Sequence, residues 1–296
     1  MAHIKLSREK ERKALLNLLD DPDPAVYSIV SDRIMQEGPD MLPYLEERYE
    51  DCRTLDEYNL ISKLISHIRV DSIANSLDIW KQAPLHDLMV ASWLVSSVIY
   101  TDLAFKTIDN WINDIMKDLW LKSDINQTAI EKTLLLNHIF FGKYRMRGTV
   151  KGKNNPEDFL INKVIENKTG DELIIGMIYQ SLAQRLNIPL KPLLLKGGTY
   201  LLAYMAEDPN GMYNSDVLFY IYPMRRGIVF EQTEVQNFIN AQKITPKPLL
   251  IEPNNPEELI TTLISSLKNV YGLCKMPERE SEYDRLLTKF SSSGFY

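Results

Sequence analysis

Cysteine and histidine are scarce in this chain: 296 residues contain two of the former, Cys52 and Cys274, and four of the latter. Two cysteines build neither a disulfide framework nor a four-ligand zinc site, and they point to a reducing compartment. His3, His67 and His86 have no second ligand at metal spacing, and neither a metal nor a cofactor is expected. No uncharged apolar run approaches the length that spans a bilayer, which leaves no role for a membrane. The opening residues, MAHIKLSREKERKALLNLL, carry charges where an export signal needs an apolar core. A cytoplasmic location is expected. There is also no phosphate-cradling Gly-rich loop, because Gly197-Gly198 reads as a turn between strands.

What is present is a globular composition, 45% apolar and 25% charged, long enough for two domains or one domain with a large extension. The charge is unevenly spread. Residues 1–125 hold 14 Lys+Arg against 22 Asp+Glu, and the remainder 20 against 18. An acidic first half argues against binding of a phosphate backbone there, and an ordinary solvated helical surface explains it.

Helical periodicity fills that half, with helices expected over 11–19, 25–36, 41–48, 58–67, 72–81, 87–100 and 102–121. Asp21-Pro22-Asp23-Pro24 stops the first and caps the second, whose Val26, Ile29, Val30 and Ile34 are expected inward, and Gly38-Pro39 ends it. ALLNLLDDPDPAVYSIVSDRI resembles one HEAT-type repeat, although no clean second copy follows. Trp80, Trp93, Trp111 and Trp120 all fall here, and at helical spacing they read as core. Residues 1–125 are therefore expected to form an acidic, HEAT-like helical module.

Residues 126–296 change character. A helix over 127–141 leads into KYRMRGTVKGKNNP, where Lys143, Arg145, Arg147, Lys151 and Lys153 cluster with only Tyr144 as an aromatic. Such a loop can hold phosphates, but a single-strand binder needs interleaved aromatics, so nucleic acid is not expected as a partner. After a helix over 159–167 comes the stretch that organises the domain, TGDELIIGMIYQSLAQRLNIPLKPLLLKGGTYLLAY. Its Leu173, Ile174, Met177, Ile178, Leu182 and Leu186 recur at spacings of three and four, the mark of a central helix. Strands near 191–195, 200–205, 217–222 and 228–230 read as a β-meander, and helices over 233–240, 256–273 and 277–290 follow. Pro246, Pro248 and Pro253 are expected to stiffen the crossing between the first two of these helices, and the tail 291–296 to be unstructured.

Several short motifs occur here in a familiar order. They are Leu136-Asn137-His138-Ile139-Phe140-Phe141, then Ile161-Asn162-Lys163-Val164-Ile165, Gly170-Asp171-Glu172-Leu173-Ile174-Ile175 and Ala183-Gln184-Arg185-Leu186-Asn187-Ile188-Pro189. Gly197-Gly198-Thr199-Tyr200, Tyr222-Pro223-Met224 and Ser266-Leu267-Lys268-Asn269-Val270-Tyr271 complete the set. Over about 128–290 this order resembles the bacterial transglutaminase-like family of the SirB invasion-regulator type. The resemblance implies an α+β, papain-like core: a central helix on a small antiparallel sheet, closed by a C-terminal helical hairpin.

In active relatives a Cys at the helix start is the nucleophile, a His on one strand its base, and an Asp on the next strand orients that His. The helix start lowers the thiol pKa and the imidazole takes its proton. The resemblance puts Glu172, Thr199 and Tyr222 at these positions. A glutamate at a helix start complements the dipole without any catalytic role. Threonine has no group that titrates near neutrality, and a strand tyrosine is ordinary. Cys52, Cys274 and His138 read as packed or surface residues. Asp171 and Glu172 cannot share a proton readily, because neighbouring helix-start residues point about 100° apart.

The resulting expectation is a non-catalytic transglutaminase-like protein. It would serve as a regulatory or scaffold binding module, taking an unknown protein or small-molecule ligand in a degenerate cleft or on the helical surface. Glu172, Thr199 and Tyr222 would converge in that cleft, with Tyr200 and Asn162 as neighbours. The alternatives are a cysteine-independent hydrolase or amide-transfer enzyme using Glu172, and nucleic-acid binding through the 143–153 loop.

Overall fold

Local capping sets the first helices of the computed structural model, which describes residues 2–21, 23–149, 154–195, 198–207, 213–241 and 255–292. These fall into two units, 1–78 with 288–296, and 79–287. In the first, α1 (Ala2–Asn17) runs into a 3-10 turn at Leu18–Asp20. Asp23 caps α2 (Pro24–Glu37): its carboxylate accepts the Ala25 N–H at 2.8 Å, and Pro24 stands where a missing N–H breaks no helical bond. A second 3-10 turn, Gly38–Met41, leads to α3 (Leu42–Glu50). Leu16, Val30, Ile34, Met41, Leu45 and Ile61 share one apolar core. Ile29, expected inward, is 70% exposed. It lies about 100° around the helix from Val30, outside the stripe that Val30 and Ile34 define.

The helices expected over 58–67 and 72–81 are one, α4 (Leu55–Gln82). The sequence between them, Ile68-Arg69-Val70-Asp71, contains neither glycine nor proline, so nothing breaks the ladder of i→i−4 bonds.

The second unit is arranged about α9 (Glu172–Arg185), whose residues from Glu172 to Tyr179 are all buried. Against it pack α5 (Leu88–Ser96) and α6 (Phe105–Trp120), while α7 (Ala129–Asn137) is tied to it by a side-chain hydrogen bond and α8 (Ile161–Asn167) packs on α5. Asp87 caps α5, accepting the Met89 N–H at 2.8 Å, and pairs with Arg185 at 3.0 Å, which ties the start of α5 to the end of α9. The buried Ser96 hydroxyl accepts the Ile161 N–H at 3.0 Å and so fixes α8. Because α5 and α6 both pack on α9, the compact division and the sequence division at 125/126 are different cuts. The helix expected over 127–141 stops as α-helix at Asn137 and continues as a π-helical turn, His138–Lys143. Of the four tryptophans Trp80 is buried, Trp93 and Trp111 are half-buried, and Trp120 is 60% exposed and so not core.

Two short strands the sequence did not suggest, β1 (Arg147–Gly148) and β2 (Thr169–Gly170), pair in parallel just before α9. Then β3 (Leu190–Leu195), β4 (Thr199–Glu207), β5 (Tyr213–Tyr222) and β6 (Ile228–Phe230) form an antiparallel meander in chain order. Strand alternation sorts its side chains. Leu193, Leu201, Ala203, Met205, Tyr220 and Tyr222 pack against Val235 and Ile239 of α10 (Gln232–Ala241), while Tyr200 points to α9. The expected helices at the end are α11 (Pro256–Leu273) and α12 (Pro277–Ser292). Gly197, Lys151, Lys153, Pro246, Pro248, Pro253 and residues 293–296 lie outside the described residues. Among the described residues no helix is long and apolar enough to cross a membrane.

Candidate functional site

The start of α9 is built from backbone bonds. The Asp171 N–H donates to the Asp158 carbonyl at 2.7 Å, and the Asp171 side chain accepts the Leu173 N–H at 2.9 Å as helix cap. Glu172 then projects sideways from the first helical turn, where the unpaired N–H groups favour negative charge. One of its oxygens accepts the Tyr200 N–H of β4 at 2.8 Å. The Tyr222 phenol, at the end of β5, lies against the same carboxylate. Burial, then the charge of Glu172 and a hydrogen bond to it, hold that phenol well above the usual tyrosine range, against a smaller opposing pull from Arg225.

Glu172, Tyr200 and Tyr222 are thus brought together, with Thr199 one residue from the shared N–H. They do not form an open cleft. Glu172 is 2% exposed, Thr199 1% and Tyr222 5%. The space between helix and strand is occupied by the Tyr200 ring, which lies directly on Gly176: a Cβ there would stand 2.2 Å from the ring. The Tyr200 hydroxyl reaches along the helix and donates to Gln180 at 2.6 Å. Tyr222 stacks instead on the α10 side, with ring centroids 5.2 Å from Phe238 and 6.4 Å from Phe230. Asn162 sits on α8, which packs on α5 and on the 3-10 turn Pro156–Phe159, and its buried Oδ1 has no hydrogen-bond partner among the described residues.

A second polar link escaped the reading of the sequence. The Tyr179 hydroxyl of α9 donates to Asn137 Oδ1 at 2.9 Å, and the Asn137 amide donates to the Gly227 carbonyl at 2.8 Å. Asn137 therefore ties the end of α7 both to the central helix and to the turn after β5. Its presence in a quoted motif was the available signal, and an isolated glycine inside an apolar helix was the signal for the Gly176 contact.

His138 is exposed, and the Cys52 and Cys274 thiols lean on the backbone carbonyls of Arg48 and Asn154. In the basic loop Lys143 pairs with Asp118, to which the Tyr144 hydroxyl also donates at 2.8 Å, whereas Arg145 and Arg147 are exposed. Among the described residues no three His, Cys, Asp or Glu side chains stand close enough to hold a metal ion. Two open hollows flank α9. One, of about 330 Å³, lies by its C-terminal end beside Trp120, Arg185 and Leu186. The other, of about 400 Å³, lies near its start between Phe141, Arg147, Gly148, Pro223, Met224 and Arg226.

A buried helix whose first side chain meets two strand ends of an antiparallel meander is a layout suited to helix-start nucleophile chemistry. Residues 106–265, just over half the chain, match the transglutaminase-like superfamily, and the protein belongs to that superfamily. No curated protein and no solved structure matches it significantly.

Proposed function

We propose that this is a non-catalytic member of the superfamily, of the SirB type, with a HEAT-like helical module ahead of the domain. It would act in the cytoplasm as a regulatory or scaffold protein that binds a partner or small ligand. The observation that carries this reading is the Glu172 carboxylate: it is sealed from solvent and accepts a backbone N–H at the place where the resemblance puts a nucleophile. A group spent on holding a strand to a helix is not free to attack a substrate. The Tyr200 ring lying on Gly176 supports the same view, since it fills the room a scissile bond would need. Binding is then assigned to the open surfaces beside the sealed site. Pairing of Lys143 with Asp118 removes one cation from the basic loop and weakens the nucleic-acid alternative.

The test is turnover. The purified protein is offered amide and ester acyl donors with water or a primary amine as acceptor, beside the Glu172→Gln variant. The expected result is no turnover in either. Turnover in the parent that disappears in the variant would overturn the reading in favour of a cysteine-independent hydrolase or amide-transfer enzyme.

A further inference from the structure

The 400 Å³ hollow near the start of α9 has the size of a small-molecule pocket, for which roughly 300–1,000 Å³ is usual. One part of its wall is apolar, made by Phe141, Pro223 and Met224, and the rest carries two guanidinium groups, Arg147 and Arg226. Among the described residues no carboxylate lines it. Neither arginine has a carboxylate partner among the described residues, whereas Arg12, Arg48, Arg69 and Arg185 are all ion-paired.

Both arginines are held by rigid backbone. Arg147 lies in β1, where its N–H donates to the Lys168 carbonyl at 3.0 Å. Arg226 has φ 58°, a left-handed conformation uncommon for a residue with a side chain. Its N–H donates to the Pro223 carbonyl at 3.0 Å, the Gly227 N–H donates to the Tyr222 carbonyl at 3.1 Å, and Asn137 holds the Gly227 carbonyl. The floor is fitted as well. Met224 lies across Gly148 so closely that a Cβ there would stand 1.8 Å from its sulfur.

We infer that this hollow binds a small phosphate monoester with an apolar or aromatic body, its oxyanion between Arg147 and Arg226 and its body against Phe141 and Met224. Two guanidinium forks match the charge and oxygen geometry of a phosphate dianion. A nucleic-acid strand would need a track of cations with stacking aromatics, and this hollow offers one pair. The inference rests on the binding reading above and gives its ligand class.

Calorimetric titration of the full chain with phenyl phosphate tests it, with inorganic phosphate and phenol as separate arms. Phenyl phosphate is expected to bind at least tenfold more tightly than inorganic phosphate, and phenol to give no binding. The double variant Arg147→Gln, Arg226→Gln is expected to weaken phenyl phosphate at least tenfold, while Lys191→Gln, an exposed change on β3, leaves it unaltered. Because both arginine side chains are exposed, the melting midpoint of the double variant should match the parent, which separates lost binding from lost folding. Absence of phenyl phosphate binding, a loss below tenfold in the double variant, or equal affinity for inorganic phosphate would each overturn the assignment. None of these results touches the non-catalytic reading, which stands or falls on the turnover assay.

Discussion

Replacing Glu172 separates a structural tie from a reactive group, because the two predict opposite signs. In Glu172→Ala the Tyr200 N–H and the Tyr222 phenol lose their shared carboxylate in a sealed interior. Each buried donor left without an acceptor costs about 1–3 kcal/mol. Relief from burying the carboxylate and the better helix propensity of alanine return part of this, so a net loss of about 3 kcal/mol is expected. Glu172→Gln keeps a carbonyl oxygen for the Tyr200 N–H, and its amide can donate to the phenol oxygen instead of accepting from it. It should cost about 1 kcal/mol. The assay is urea unfolding followed by circular dichroism and by fluorescence, with Tyr222→Phe completing a double-mutant cycle whose coupling should be about 1 kcal/mol. A residue kept for chemistry is commonly neutral or stabilising when removed, because active sites hold unfavourable arrangements. Unfolding of Glu172→Ala at or above the parent midpoint would therefore refute the structural account.

Gly176→Ala puts a methyl group 2.2 Å from the Tyr200 ring, and overpacking outweighs the gain in helix propensity, for a net loss of about 2 kcal/mol by the same unfolding assay. Adding Tyr200→Leu should recover part of that loss; no recovery would mean the contact is not the cause. Asn137→Ala strands the Tyr179 hydroxyl and the Gly227 carbonyl, costing about 2–4 kcal/mol. It should also weaken phenyl phosphate, since the turn bearing Arg226 loses its anchor. Burial pushes the Tyr271 phenol up to about 12, and burial with the Asp118 bond does the same for Tyr144. Phenols raised in the fold stabilise it fully below their ordinary value of about 10 and lose that contribution as pH climbs toward about 12. Tyr271, itself buried, contributes roughly 3 kcal/mol in this way, so the urea midpoint should fall steeply across that window. A flat midpoint there would contradict the burial of these rings.

Much of the second unit was legible because its signals are local. Apolar residues at spacings of three and four between Gly170 and Pro189 give α9, and alternation between turn residues gives β3 to β6. The two-residue strands β1 and β2 carry no period, and their pairing is decided only when the chain closes around the start of α9. The single helix α4 replaces the two expected over 58–67 and 72–81, since neither glycine nor proline stands between them to stop it. At the site, the resemblance proposes which side chains stand for which, but sequence does not tell whether space remains between them. The Tyr200 ring decides that, through a glycine one turn along the helix from Glu172. Asn162 enters the expected cleft by its motif alone, and it lies on α8, a helix that packs on α5.

On the proposed reading, in which Glu172, Thr199 and Tyr222 stand where active relatives carry their triad, the three positions make sense as one change rather than three. A helix start favours an anion whether that anion is a thiolate or a carboxylate, so exchanging one for the other leaves the electrostatics of α9 intact. The glutamate side chain is longer, and its extra reach brings the carboxylate to the Tyr200 N–H, so the strand is held by its backbone and needs no imidazole at 199. With no imidazole to orient, a carboxylate at 222 would face Glu172 as a like charge in a dry interior; a neutral phenol donates to it instead. On the proposed reading each replacement thus makes the next one tolerable. Glu172→Cys alone should then give an unstable protein without activity: a short thiol that leaves the Tyr200 N–H unmet and finds no base within reach.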